Sequence, residues 1–374
     1  MPGTLKMSSS QTVSKPTEGQ RPSGMRTFVA IFLILHVPLF IYPVLRLCNW
    51  LEAGPLVTVL ILVPVAISQV VSRWWLRGAK SFFAKKIRQV ADFLLGVSPI
   101  VIMALLVAEV LVFAGVVSAG YAAWSVIGAT LLVSLLGLAN AMYPVVRRFS
   151  LQAKRLKQSV RFVQITDVHI GSRSPSFLER VVDRIIALDP DFLCITGDFV
   201  DAWGVSEHDL SSLKRLECPV YFTIGNHERY EDLDRILERL DNLGVTILRN
   251  RCTPFRDDIQ VIGIDDRDDA LQVQRELAKM SLDGDRFTLL LYHRPRGLEA
   301  AGKKGVDLML SGHTHNGQIF PFHFAVKSVF ERIAGMYELG GARLYVSQGT
   351  GTWGPVMRVG TRSEITLFEM EPNQ

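Results

Sequence analysis

Residues 161–169 read Arg-Phe-Val-Gln-Ile-Thr-Asp-Val-His. An apolar, β-branched run gives way to a carboxylate and an imidazole two positions apart. The run predicts a strand over Arg161–Thr166, and an extended backbone would point Asp167 and His169 to one side. The pattern recurs four times. Asp191–Thr196 leads into Gly197-Asp198, Val220–Ile224 into Gly225-Asn226-His227, Thr288–Tyr292 into His293, and Val306–Leu310 into Gly312-His313-Thr-His315. Strand-like runs also cover Gln260–Ile264, Arg343–Ser347 and Glu364–Glu369, with helical patterns at Ser176–Leu188, Arg229–Leu243 and Ala270–Met280. This alternation predicts an α/β domain of stacked sheets covered by helices. Sites in such sheets form beyond the carboxyl ends of strands, and every block falls at such an end.

A lone Gly-Asp or a lone histidine would carry little meaning; five blocks in this order, each ending a strand, form a specific signal. Asp167, His169, Asp198, Asn226, His293, His313 and His315 offer carboxylate, amide and imidazole groups with no thiolate among them. Such a set suits a pair of borderline divalent ions used for hydrolysis, and points to an enzyme acting at phosphorus. Glycine before Asp198, Asn226 and His313 permits a sharp turn or close backbone approach where each strand gives out. Cys48, Cys194, Cys218 and Cys252 show no metal-like spacing and read as core thiols.

The first 150 residues differ in kind. They hold 13 Lys/Arg against 4 Asp/Glu, and the remainder of the 374-residue chain reverses the balance to give +5 overall. The basic excess lies between apolar stretches, so it reads as membrane topology rather than nucleic-acid binding. Four stretches approach the roughly 20 residues needed to cross a bilayer: Thr27–Leu45, Gly54–Ser72, Phe93–Gly115 and Gly120–Val146. Glu109 is the one charge inside them. It either marks a site or pairs with another span, and His36 raises the same question. Arg73, Arg77, Lys80, Lys85, Lys86 and Arg88 lie between spans two and three, and Arg147, Arg148, Lys154, Arg155 and Lys157 follow span four. The positive-inside rule then places both termini in the cytoplasm. The expected organisation is a disordered tail over 1–26, four transmembrane helices over 27–146, a basic linker over 147–159 and a catalytic domain over 160–374.

From about Arg161 to Glu369 the chain resembles the calcineurin-like metallophosphoesterases. The motifs stand here as Asp-Val-His, Gly-Asp-Phe-Val-Asp, Gly-Asn-His-Glu, a Tyr-His pair and Gly-His-Thr-His. The apolar N-terminal region looks like that of the membrane-anchored branch, the transmembrane proteins with a metallophosphoesterase domain. The resemblance implies a four-layer α/β/β/α sandwich with two divalent ions (manganese, iron or zinc). Asp167, His169 and His315 would hold one ion, Asn226, His293 and His313 the other, and Asp198 would bridge them. It further implies attack by a metal-bridging hydroxide on a phosphomonoester, phosphodiester or pyrophosphate, with ions roughly 3.5–4 Å apart. His227 is left to stabilise the transition state or to donate a proton to the leaving group. Glu228, where many members carry Asp, would orient His227.

Other positions keep two readings. Asp201 orients a ligand or sits in a solvated loop. Arg294 and Arg296, around Pro295, contact phosphate or solvent. Trp353 and Arg358, in the glycine-rich 349–358 loop, line a substrate groove or pack locally. Asp265, Asp266, Asp268 and Asp269 fit a helix N-terminus better than a metal site. The reading is a multi-pass membrane phosphoesterase facing the cytoplasm, acting on a phosphate ester that tethering allows to be lipid-linked, with no nucleic-acid partner. The alternative is a membrane scaffold or regulatory protein that uses the fold to bind partners.

Overall fold

A computed structural model describes residues 34–76, 78, 81–202 and 204–373. The expected tail, the start of the first span, Arg77 and Lys80 lie outside the described residues. Helix α1 (Ile34–Trp50) is the remaining part of the first apolar stretch, and three longer helices follow: α2 (Pro55–Trp75), α3 (Phe82–Phe113) and α4 (Ala119–Met142), each long and apolar enough to cross a membrane. Pro55 opens α2 at a position whose N–H has no helical partner. The Ser81 hydroxyl caps α3 by accepting from Ala84 N–H. Because α3 begins at Phe82, Lys85, Lys86 and Arg88 lie in its first turns and not in a connecting loop. Glu109 on α3 accepts from both Arg46 and the Tyr42 hydroxyl on α1, so the charge in this apolar region is paired, as polar groups at membrane depth require. His36 lies 2.7 Å from the Ala66 carbonyl of α2.

The chain enters the C-terminal half without a linker. Helix α4 ends at Met142, and strand β1 (Val145–Ala153) starts three residues later, parallel to β12 (Glu364–Pro372). The segment read as the end of a span and a basic linker is therefore largely sheet. Its positive charges meet acids of the C-terminal half: Arg147 pairs with Glu364, Arg148 with Glu369 and Arg155 with Asp307.

Two six-stranded sheets follow. The first runs β1-β12-β2-β3-β4-β5, with β2 (Val160–Ile165), β3 (Phe192–Thr196), β4 (Val220–Thr223) and β5 (Val245–Ile247) parallel. The second runs β10-β11-β9-β8-β7-β6, where β7 (Ile259–Ile264), β8 (Phe287–Tyr292), β9 (Leu308–Ser311) and β11 (Ala342–Val346) are parallel and β6 (Arg251–Arg256) and β10 (Gly335–Leu339) are antiparallel edges. Alternation within the strands sends Phe162, Phe192, Leu289, Leu310 and Phe368 into the layer between the sheets. Phe162 stacks on Phe192 and Phe368 with centroids 4.8 and 5.0 Å apart, each contact worth about 0.5–1.5 kcal/mol beyond burial.

Helices cover both outer faces. α5 (Pro175–Leu188) buries Phe177, Leu178, Val181, Val182, Ile185 and Leu188, the stripe that a 3.6-residue period produces. α6 (Asn226–Tyr230) and α7 (Leu233–Asn242) follow β4, and α7 joins α5 on the first sheet. α8 (Gln272–Ala278) and α9 (Leu298–Lys304) cover the second. The result is the expected four-layer α/β/β/α sandwich, preceded by the apolar helices.

The two parts also touch. Ile100 of α3 packs with Ile319 and Met357. Gly137 of α4 accepts from Arg358 N–H at 2.9 Å. A Cβ at Gly137 would lie 2.8 Å from Met357 Cγ, so only glycine allows that approach.

Candidate metal centre

Parallel strands bring their carboxyl ends to one rim, and all seven ligand candidates lie there. Asp167 and His169 follow β2, Asp198 follows β3, Asn226 follows β4, His293 follows β8, and His313 and His315 follow β9. The backbone at Asp167 and His169 is not extended, as the spacing had suggested. Both residues are left-handed, at φ 53° and 57°, and so are Asp198, His313 and His315. Non-glycine residues reach this region at a cost of roughly 1–3 kcal/mol each. Hydrogen bonds hold the first two: Asp167 N–H to Gly197 O and His169 N–H to Asp198 O, both 3.1 Å. At Gly225 a Cβ would fall 2.2 Å from Asp198 Oδ1, so the β4 loop can close on Asp198 only through glycine.

Three groups of three converge: Asp167 with His169 and His315, Asp198 with His293 and His313, and His169 with Asp201 and His227. In the first, His169 Nε2 and His315 Nε2 face each other at 3.2 Å, and Asp167 Oδ1 lies 3.3 Å from the latter. In the second, His293 Nε2 lies 3.0 Å from Asp198 Oδ2 and 3.2 Å from His313 Nδ1. The far ring nitrogens face oxygens. His293 Nδ1 donates to the Thr196 carbonyl at 2.8 Å, and His169 Nδ1 lies 3.2 Å from Asp201 Oδ2, within ion-pair reach but outside hydrogen-bond geometry. That leaves Nε2 of both rings turned inward. Asn226 Oδ1 is buried with no hydrogen-bond partner, an expensive state for an acceptor unless a cation or donor occupies the space before it.

The electrostatics agree with this geometry. Burial works against ionisation of Asp167, yet His315, His293 and His169 hold its carboxyl well below the usual range. Burial likewise opposes Asp198, and His293 and His169 depress it. Burial, with the charge of His293, takes His313 down to about 3, and burial takes His315 down to about 4. Ionised carboxylates and neutral imidazoles are the forms that ligate metals. His293 and His169 are the exceptions: despite burial, Asp198 draws His293 up to about 10, and Asp201 with the neighbouring carboxylates raises His169, so a cation there would displace protons. The donor set, the unpartnered Asn226 oxygen and the facing imidazole nitrogens fit divalent cations.

His227 stands apart at the opening. Its ring lies edge-on to His169 at 4.8 Å and 6.3 Å from the largely exposed Trp353, while its backbone N–H donates to Asp198 Oδ1 at 2.8 Å. Burial lowers its pKa. Glu228 does not contact the His227 ring as expected. Its fully buried carboxylate accepts from four backbone N–H groups: Phe199 and Val200 on Oε1 at 2.6 and 3.1 Å, and Gly225 and Asp198 on Oε2 at 2.8 and 3.1 Å. Burial and Asp198 push that carboxyl up to about 7 against the pull of these donors.

Three arginines are committed elsewhere. Arg294 is buried against Asp266 at 2.9 Å and Asp268 at 3.0 Å, and Arg296 shares Asp268. Their charge is neutralised locally, and the acidic cluster is chiefly an ion-pair network, with Asp265 taken by Arg249. Arg358 has no exposure at all; its guanidinium donates to the carbonyls of Gln348, Gly351 and His315. It ties the 349–358 loop to a ligand-bearing loop and lines no groove. Thr196 and Tyr230, whose ring lies 5.8 Å from His227, escaped sequence reading because a threonine carbonyl and an isolated tyrosine carry no motif.

Residues 160–317 match the profile of the family described as calcineurin-like phosphoesterase. An uncharacterised metallophosphoesterase of Campylobacter jejuni is 32% identical over 241 residues, covering 61% of this chain and 63% of that protein. Another, from Helicobacter pylori, is 30% identical over 247 residues, covering 61% and 64%. A Bos taurus protein named transmembrane protein with metallophosphoesterase domain is 31% identical over 269 residues, covering 65% and 61%. Each match spans less than two thirds of the relative's length. The profile overlies the strands that carry all seven ligand candidates, so it is this stretch, residues 160–317, that belongs to the calcineurin-like phosphoesterase family.

Proposed function

We propose that this chain is a membrane-anchored phosphoesterase, with its catalytic half in the cytoplasm, that hydrolyses a phosphomonoester, phosphodiester or pyrophosphate using two divalent cations. The observation that supports it most is the pair of inward-facing ligand groups at one rim of two sheets. Asp167, His169 and His315 would hold one cation and Asn226, His293 and His313 the other, with Asp198 serving both; manganese, iron or zinc suits these donors. Such ions supply Lewis acidity toward phosphoryl oxygens and a water of lowered pKa.

The remaining work falls to the chain. Asp201 and the Thr196 carbonyl aim His169 and His293. Glu228 holds the Gly197–Val200 loop, and with it Asp198, in place. His227, at the opening beside Trp353, is placed to donate to the leaving oxygen or to a phosphoryl oxygen. The relative whose name records a transmembrane protein and the three long apolar helices support the membrane setting.

Two variants of the full-length protein in detergent test the roles. Asp198→Asn removes a charge both cations need and should lose bound metal and activity together. His227→Asn should keep its metal and lose about 10²–10⁴-fold in turnover of an alkyl phosphate, and much less with a p-nitrophenyl ester, whose leaving group hardly needs a proton. Metal loss in His227→Asn would remove the residue from the mechanism. Equal slowing of both esters with metal retained would assign it to the phosphoryl oxygens instead.

A further inference from the structure

Between His315 and β10 the chain folds into an aromatic shelf. Its root is fixed. Gln318 donates its side-chain amide to the carbonyls of Trp353 and Pro355 and accepts from Trp353 N–H, while Phe320 N–H donates to Val359 O. The two loops so joined rest on the apolar helices through Ile319 and Met357 against Ile100. From this seat Phe320, Phe322, Phe324 and Val329 project with exposures of 38, 43, 62 and 62%, beside Trp353 at 59%. A contiguous apolar patch in an ordered loop marks a surface with an occupant.

Its position says which occupant. One end of the shelf is the ligand cluster, where the Phe330 ring lies 5.2 Å from His313 and Trp353 faces His227. The other end is the helix hairpin. At 1.5 Å per residue, Gly96 lies about 26 Å along α3 from Phe113, and Gly137 lies about 27 Å along α4 from Ala119. A bilayer's hydrocarbon core is about 30 Å thick. The docking contacts therefore sit near its boundary when the hairpin tip reaches the far side. Aromatic side chains concentrate at that depth, and Lys327 in the shelf and Lys85, Lys86 and Arg88 on α3 suit the phosphate layer there.

We propose that residues 319–330, with Trp353, seat in the membrane interface beside the metal centre, and that the site takes an amphiphilic phosphate ester from the bilayer, its phosphate at the ligand cluster and its acyl chains against Phe322 and Phe324. The seating is independent of the phosphoesterase reading; the substrate class rests on it.

The test has two arms, both on the full-length chain in lipid nanodiscs. In the first, Phe322→Cys, Phe324→Cys and, as a control, Leu271→Cys at the exposed position just before α8 each carry a nitroxide, with the four native cysteines replaced by alanine. Accessibility to oxygen should exceed accessibility to a nickel chelate at 322 and 324 and not at 271. Aqueous accessibility at 322 and 324 overturns the seating. So does protection from both reagents, which would mean that protein, such as a second copy, covers the shelf. In the second arm, dioleoyl phosphatidic acid is compared with p-nitrophenyl phosphate, and dioleoyl phosphatidylglycerol with bis(p-nitrophenyl) phosphate. For the pair that is hydrolysed, the double variant Phe322→Ser/Phe324→Ser should lower the lipid-to-aryl ratio of kcat/KM at least tenfold. An unchanged ratio, or hydrolysis of aryl esters alone, overturns the amphiphilic substrate. Hydrolysis of none of the four overturns the phosphomonoester and phosphodiester readings and the amphiphilic ester with them, and the first arm still decides the seating.

Discussion

Replacing Glu228 by glutamine changes one atom and sets two orders of importance against each other. If Glu228 served to orient His227, the change would slow turnover and little else. The structure instead gives its carboxylate four backbone donors around the Asp198 loop. Glutamine keeps one acceptor oxygen, good for two of them, and turns an NH2 toward the other two. A buried donor left unsatisfied costs about 1–3 kcal/mol, so Glu228→Gln should destabilise the catalytic half by on the order of 2–6 kcal/mol. For a body of roughly 200 residues, 1 kcal/mol moves a midpoint by about 2–4 °C, giving an expected drop on the order of 5–20 °C. The loss falls on the loop that carries Asp198, so manganese content after dialysis should drop with it. Scanning fluorimetry of the full-length protein at one fixed scan rate, with elemental analysis of the same samples, measures both. A midpoint within about 2 °C of the parent, with full metal content, would refute the argument. Glu228→Asp keeps the charge but is one methylene shorter, and should fall between.

Other outcomes follow from the membrane part. Glu109→Gln leaves Arg46 without its carboxylate among apolar helices and should cost on the order of 2–4 kcal/mol, seen as a lower apparent midpoint in detergent. Exchanging the pair, Arg46→Glu with Glu109→Arg, should recover at least half of that drop, and no recovery would show that the pairing is not what matters. A reporter fused after Gln374 that works only in the cytoplasm should be active; activity of one that works only outside would reverse the proposed topology.

The ligand residues were legible because each follows a strand-forming run and because parallel strands carry their carboxyl ends to one rim. Their backbone was not. Asp-Val-His reads as alternating extended residues, yet Asp167 and His169 are left-handed, held by carbonyls of the Gly197-Asp198 loop 30 residues away in sequence. Arg294 and Arg358 misled for a related reason. A cation near a motif suggests an anionic ligand, while the groups that actually absorb it, Asp266 for one and backbone carbonyls for the other, become neighbours only after folding. β1 was hidden by its charges: Arg147 and Arg148 resemble the basic flank of a membrane span until Glu364 and Glu369 of β12 come alongside. Short edge strands such as β5 and β10 carry too few residues to display a period.

The passage from α4 to β1 has a practical consequence. With only Tyr143 and Pro144 between helix and sheet, the C-terminal body is not a weight on a string; in the proposed membrane setting, the orientation of α4 would set the tilt of the sheet. A soluble fragment begun at residue 160, where the family profile starts, would shed β1 and leave β12 as a bare nine-residue rim of unpaired N–H and C=O groups. Such a rim recruits another strand, so a dimer or aggregate of that fragment would report where the chain was cut, not how the intact protein assembles.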